Sequence, residues 1–501
     1  MEEERPLLQD LLTPLNREEL RALLLRLAER DPSLVVAVEA EIDLLATSAP
    51  LTAPAPEAAP APRPAAVDVA AVRRVLRSEL RSMGGGRDYG SVGSITGIVE
   101  GALQSAWGLI GAGAGNSALP LLETITDEVW SSYEGLDDSD GEGVPLFEGI
   151  GAAWAAALLS ADVTREERRS WGAKLGAWRA ELADYGLEEG LDAAVQAAEQ
   201  GWDYPPLLRV LQGQDTRESI WEDGPPDWIA GEGLAAARLH VLERQGRSDE
   251  YLRFADVAGQ GVAYATMLVG LGRAAEAVAY GIQNLATSDQ AQALARVLRE
   301  HQEPAGALTI AERGLSLEGY KASLAVWTAD LAEALGETPR ALAAAEIGFR
   351  AYPTLESYRR VESLAREDWP IRRDALLDHL RGVHSYSPQG QVDVFLHEGL
   401  IADAIAAVGD GASHTIMEQV ADAALQSHPD WVIKTSRREA ESIMDPGKSE
   451  YYSSAARWVG RARDAYRVAG READWQAYLG HLLTEHRRKY RLVPLLKALE
   501  R

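Results

Sequence analysis

From Val67 to the end of the chain, apolar residues recur three and four positions apart, the period of helices with one covered face. In "VPLFEGIGAAWAAALLS", residues 144–160, the side chains of Phe147, Ile150, Trp154 and Leu158 fall on one such face. This spacing predicts an amphipathic helix starting near Pro145, whose missing N–H costs nothing in a first turn. Further along, three stretches share a helix–turn–helix form: "YATMLVGLGRAAEAVAYGIQ", "LARVLREHQEPAGALTIAERGLSL" and "WTADLAEALGETPRALAAAEIGFRAYP". The small-apolar pairs that open their second helices, Ala277-Val278, Ala307-Leu308 and Ala341-Leu342, are spaced 30 and 34 residues apart, as in tetratricopeptide-like (TPR-like) repeats. "RQGRSDEYLRFAD" and "VAGREADWQAYLGHL" repeat the same polar turn into a helix. Each hairpin carries an apolar stripe too wide to leave in water, so neighbours must stack. The expected fold is all-α. Residues 231–501 read as an irregular TPR-like α-solenoid of helical hairpins, and 67–230 as a more globular helical region, with roughly two dozen helices in all.

The first residues follow a different pattern. "NREE", Asn16 to Glu19, has capping-box spacing and opens "LRALLLRLAER", where Leu20, Leu23, Leu24 and Leu27 share a face. Asp31-Pro32 ends that helix and starts "PSLVVAVEAEIDLL". Residues 1–46 therefore read as a small helical module, open either to docking and dimerisation or to folding back on the body. The Pro/Ala-rich run at 47–66, "TSAPLTAPAPEAAPAPRPAA", cannot sustain a helix or a ladder and reads as an extended linker.

Composition narrows the function classes. Ala and Leu dominate, and the aromatic residues are 13 Trp and 16 Tyr against only 4 Phe. Tryptophans at helical spacing, such as Trp171 and Trp178, are expected in the core. The net charge of −27 repels phosphate backbones and makes the body a poor nucleic-acid groove. Residues 451–501 run against that balance, with 11 Lys and Arg to 5 Asp and Glu. The absence of cysteine excludes disulfides, thiolate metal sites and cysteine nucleophiles, and accords with a cytoplasmic location. No signal peptide is legible in "MEEERPLLQD". Residues 91–115 are the one stretch that could pass for a membrane span, but Glu100 and many small polar residues argue for a helix in a protein core. Within it, Gly93, Gly97 and Gly101 read as a stripe against which another helix packs.

Candidate chemistry is sparse. In "GLDDSDGEGVPLFEGI", residues 135–150, a calcium loop counted from Asp138 would place Asp140 third, Glu142 fifth and Gly143 sixth. Pro145 then stands where a β-branched residue belongs, and Gly149 where a bidentate Glu is required. The acidic run Asp137, Asp138, Asp140 and Glu142 is better read as the start of a helix, near its positive dipole end, with only weak cation occupancy. The nine histidines form no HExxH pair, and His397 beside Glu398 reads as ordinary surface. No GxSxG elbow is present. "SMGGGRDYG" lacks the Lys-Ser/Thr ending of a phosphate loop and reads as an inter-helix loop. The basic run Arg487, Arg488, Lys489, Tyr490 and Arg491 is the candidate nucleic-acid or partner contact, with Tyr490 available to stack on a base. The alternative is that these charges pair with the acidic body or are simply solvated.

Taken together, "VDVAAVRRVLRSEL" and "RDYG" at 67–90, "LDDSDGEG" at 136–143, "NREELRALLLRLAERDPSL" at 16–34 and "DWQAYLGHLLTEHRRKYRLVPLLKAL" at 474–499 resemble the helical region of bacterial and archaeal SWIM-type zinc-finger proteins. The finger of that family is a Cys-x-Cys…Cys-x-His zinc site, so a chain without cysteine cannot carry its metal or its contacts. What the resemblance implies is the helical partner region alone, and relatives associated with helicase-like ATPases of the Swi/Snf type suggest such a partner. The expected function is a non-enzymatic, cytoplasmic protein-interaction scaffold needing no cofactor. The alternative is an accessory factor in DNA transactions that touches nucleic acid only through the C-terminus.

Overall fold

The computed structural model describes residues 68–84, 90–221, 232–383, 388–409, 413–446 and 448–500. The helical module at 1–46 and the linker at 47–66 lie outside them, as do His384 and most of the glycine loop. Among the described residues the fold is all-α, apart from one isolated bridge and two strands of two residues, β1 (Gly90–Ser91) and β2 (Leu136–Asp137). These pair in parallel, Gly90 opposite Leu136 and Ser91 opposite Asp137, so the chain at Gly90 meets the start of "LDDSDGEG". The chain divides into two compact units between Ala258 and Gly259.

The first unit contains α1 (Val69–Gly84), α2 (Val92–Gly111), α3 (Gly115–Tyr133), α4 (Gly143–Ser160), α5 (Arg165–Leu182), α6 (Asp192–Gln200), α7 (Pro205–Leu211), α8 (Arg217–Ile220), α9 (Glu232–Arg244) and α10 (Ser248–Val257). Helices α2, α3, α6 and α9 all pack on α4. That explains a departure from the expected amphipathic helix. Phe147, Ile150, Trp154 and Leu158 are buried, but so are Ala153, Ala155, Ala156, Ala157 and Leu159, so from Ala153 to Leu159 α4 is covered on every side. Its alanines and glycine allow close approach: a Cβ on Gly151 would lie 2.0 Å from the Gly190 carbonyl oxygen. Trp154 lies against Trp171 and Trp178, its ring tilted to both, and donates its indole N–H to Thr126 at 2.9 Å. Among the described residues α4, not 91–115, is the one helix long and apolar enough to cross a bilayer, and 67% of it is buried inside the first unit.

Helix α2 corrects a second expectation. Its covered face is Val92, Ile95, Val99, Leu103 and Ala106. Gly97 and Gly101 are exposed with open space where a Cβ would stand, and Gly93 faces the Glu142 carboxylate, not a helix. On α1, Arg73 and Arg77 reach Glu128 of α3, Arg77 through Nε at 2.9 Å. Helices α9 and α10 follow residue 230, where the repeat region was expected to begin, yet α9 packs on α4 and α6 of the first unit.

The second unit runs through α11 (Gly261–Gly270), α12 (Ala274–Asn284), α13 (Ser288–Glu300), α14 (Pro304–Leu315), α15 (Ala322–Ala334), α16 (Thr338–Ala351), α17 (Leu355–Ala365), α18 (Trp369–Gly382), α19 (Gln389–His397), α20 (Ile401–Ala407), α21 (His414–Ala424), α22 (Pro429–Met444), α23 (Tyr452–Val468), α24 (Glu472–Glu485) and α25 (Val493–Lys497). Each of these helices makes its principal contacts with the next one or two along the chain. The hairpin pairs read from the sequence appear as α11–α12, α13–α14 and α15–α16, with Ala277, Ala307, Leu308, Ala341 and Leu342 buried between them. The turns share one chemistry. Gly272, Gly336, Gly399 and Gly470 take positive φ, and the next residue's N–H returns to a carbonyl five positions back, so one helix is capped as its successor begins. In the α13–α14 turn Gln302 occupies that left-handed position instead, at φ 62°.

Candidate functional site

The acidic loop is built into the start of α4. Both oxygens of Asp138 are engaged: the Tyr133 hydroxyl donates at 2.6 Å and the Gly143 N–H at 2.9 Å. Asp137 accepts from the Ser139 N–H at 3.1 Å, and Gly141 closes a turn onto the Asp138 carbonyl with φ 72°. Asp138 thus caps an orphan N–H of the first helical turn. Tyr133 belongs to an aromatic group with Trp130, Phe147 and Tyr185. Burial and the Asp138 carboxylate together push its phenol well above the usual tyrosine range. Asp140 and Glu142 are exposed, and no three His, Asp or Glu among the described residues are grouped to hold a metal ion.

At the other end of the chain, the basic run splits into two roles. Lys489 Nζ donates to the Met444 carbonyl at the close of α22, and Arg491 reaches Ser449 Oγ at 3.4 Å, so both grip the connection between α22 and α23. Arg487 and Arg488 are exposed and make no ion pair among the described residues, and Tyr490 is 86% exposed. Arginines earlier in this stretch behave otherwise: Arg461 pairs with Glu418 and Asp422, and Arg471 with Asp430 and Asp474. Burial pushes the His486 imidazole below its ordinary value, and Lys489 adds to the effect.

The connection that these residues hold forms the lip of a cleft of about 500 Å³. His414 and Thr415 enter it from the start of α21, Ser442 and Ile443 from the end of α22. Lys448 and Tyr451 come from the connection, and Ser454, Arg457 and Trp458 from α23. Trp458 is fully buried beneath, with the Arg461 guanidinium over its ring at 5.0 Å. Glu418 on the wall is neutralised by Arg461 at 3.3 Å, and His414 Nδ1 lies 3.0 Å from Glu439. Arg457 donates one N–H to Ser454 Oγ at 3.2 Å and, like Lys448, pairs with no carboxylate among the described residues. Sequence reading missed this cleft. Its residues come from three helices and a turn, and "DPGKSEYY" looks like any polar connection.

Two further polar groups escaped the sequence. Glu398, read as ordinary surface, accepts from the Tyr358 hydroxyl at 2.9 Å and from Arg373 Nε at 2.7 Å, joining α17, α18 and the end of α19. Burial raises its carboxyl, but Arg373 and Tyr358 outweigh that and hold it below the usual range. Arg238 on α9 is fully buried, bonds Gln200 at 2.7 Å and leaves Nε and Nη1 unpartnered. None of the described tryptophans is exposed, so they form no open aromatic groove.

Comparisons with protein-family models, curated proteins and solved structures return no match for this chain.

Proposed function

We propose that this protein is a non-enzymatic interaction scaffold of the cytoplasm, its second unit an irregular TPR-like α-solenoid, akin to the helical region of SWIM-type zinc-finger proteins. The observation that carries the reading is the neighbour-to-neighbour packing of α11 to α25, the arrangement by which helical repeats present a long surface to a partner. Apolar anchors stand on that unit. Tyr352 at the end of α16 is 62% exposed and Ile371 on α18 is 79% exposed, and Arg372 ties these two helices through Glu346. Aromatic and aliphatic anchors of this kind carry most of the energy of protein interfaces. Affinity capture from the native host tests this: one partner, expected to be a helicase-like ATPase, should be recovered reproducibly. Ile371→Asp with Tyr352→Asp should abolish recovery while leaving helix content unchanged. Recovery of no reproducible partner rejects the scaffold.

A second reading, an accessory factor in DNA transactions, is favoured by the unpaired Arg487 and Arg488 beside the exposed Tyr490. DNA binding should then fall steeply between about 50 and 200 mM salt. It should vanish in Arg487→Glu/Arg488→Glu; Lys489 is left intact because its ammonium holds the Met444 carbonyl. No binding at low salt removes this reading.

A further inference from the structure

We propose that the cleft between α21, α22 and α23 is a binding site for a phosphate monoester carried on an apolar or aromatic body, as in a nucleotide or a phosphorylated side chain. The argument begins with charge. Glu418 and His414 on the cleft wall have partners in Arg461 and Glu439, which leaves Lys448 and Arg457 as its uncompensated charges. Unlike the unpaired Arg487 and Arg488 at the surface, Lys448 and Arg457 line one cavity, and they do so in a chain of net charge −27 where carboxylates are abundant. A phosphate monoester brings about −1.5 to −2 at neutral pH and matches both cations, whereas a carboxylate matches one. Lys489 and Arg491, bonded to the back of the same connection, add to the positive potential.

Hydrogen bonding points the same way. Besides the guanidinium and the ammonium, the cleft presents the hydroxyls of Thr415 and Ser454, while Ser442 donates its own O–H to the Glu439 carbonyl. This set of donors exceeds what the two oxygens of a carboxylate can accept and suits the three oxygens of a phosphate. His414 and Thr415 are also the first residues of α21, and the preceding Ser413 makes no side-chain cap, so the positive dipole end of that helix lies at the same place. The remaining surface suits an organic body: Tyr451 is half exposed at the lip, with Ile443 on the wall, and the buried Trp458 backs the floor. A volume of about 500 Å³ falls within the usual range of small-molecule pockets.

Calorimetric titration of the full chain at low salt tests the site, with AMP and O-phosphotyrosine as probes and adenosine, tyrosine and phenylacetate as controls. At least one phosphorylated probe should bind about tenfold or more tightly than its unphosphorylated body and than phenylacetate. Tighter binding of AMP assigns a nucleotide site, and tighter binding of O-phosphotyrosine assigns a phosphorylated side chain. Lys448→Gln/Arg457→Gln should weaken the better probe by about tenfold or more, while Arg487→Gln/Arg488→Gln leaves it unchanged. Both cleft residues are exposed, so the variants should fold, and Lys448→Gln alone provides a second, milder measurement. The proposal is overturned if neither phosphate is preferred over its parent body, if phenylacetate binds as tightly, or if binding survives the Lys448/Arg457 change. The titration uses no protein or DNA partner, so its result is independent of both tests above.

Discussion

Arg238 shows how one residue can be set against its surroundings. Its guanidinium is fully buried on α9, with a single side-chain hydrogen bond to Gln200, and the Phe254 ring 5.6 Å away offers only its π face. Burial pulls its pKa down to about 10, which still leaves the group charged at neutral pH. A buried charge with unpartnered N–H groups is unfavourable, and a hydrophobe of similar length is commonly neutral or better in its place. Arg238→Met should therefore leave stability equal or raise it by up to about 4 kcal/mol in urea denaturation. A large loss would show that the guanidinium has a role beyond its bond to Gln200. Asp138 is the contrasting case: each of its two oxygens has a partner, Tyr133 and Gly143, and the carboxylate serves the helix start.

At the scale of elements, close approach decides what small residues mean. Gly97 and Gly151 both sit inside helices, α2 and α4, but their neighbourhoods are opposite. Gly97 faces open space, and Gly151 lies against the Gly190 carbonyl. Gly97→Ala should stabilise by about 0.5–1 kcal/mol, since alanine restricts the unfolded chain and clashes with nothing. Gly151→Ala should destabilise by about 1–3 kcal/mol or more, because the new methyl overlaps backbone that cannot swing aside. Paired urea titrations check both signs, and a destabilised Gly97→Ala would restore the packing stripe on α2. The turns obey the same logic. Where glycine takes the left-handed position the cap forms freely, and Gln302, in the α13–α14 turn, is a place where a side chain accepts that strain, as Arg366 does after α17.

For the whole molecule, the chain-neighbour packing of the second unit predicts how it comes apart. Phe349 on α16 is fully buried with the Tyr358 ring of α17 5.6 Å away. Phe349→Ala should cost about 3–5 kcal/mol. In a stack where each helix leans on the next, that loss should appear locally. Hydrogen exchange should accelerate on α15, α16 and α17 while α22 and α23 keep their protection. Uniform acceleration through the unit would mean a single cooperative core in place of a stack. The charge distribution acts at this scale too: the basic end of an acidic chain holds its own connections through Lys489 and Arg491 while leaving Arg487 and Arg488 to solvent.

Periodicity, short polar turns and the small-apolar pairs at 277, 307 and 341 were enough to establish from sequence an all-α fold, the hairpins of the second unit and the helix start at the acidic loop, because each depends on residues within a few positions of one another. Tertiary structure alone decided which helix is surrounded. The face of Phe147, Ile150, Trp154 and Leu158 was legible, but the alanines between them become core only because α2, α3, α6 and α9 converge there. It also decided that the glycines of α2 face outward, that Glu398 is held by Tyr358 and Arg373, and that Lys448 and Arg457 share a cleft with Thr415. The reason is the same in each case: local pattern specifies which side of a helix is apolar, while partners, charge balance and cavities arise between segments far apart in the chain.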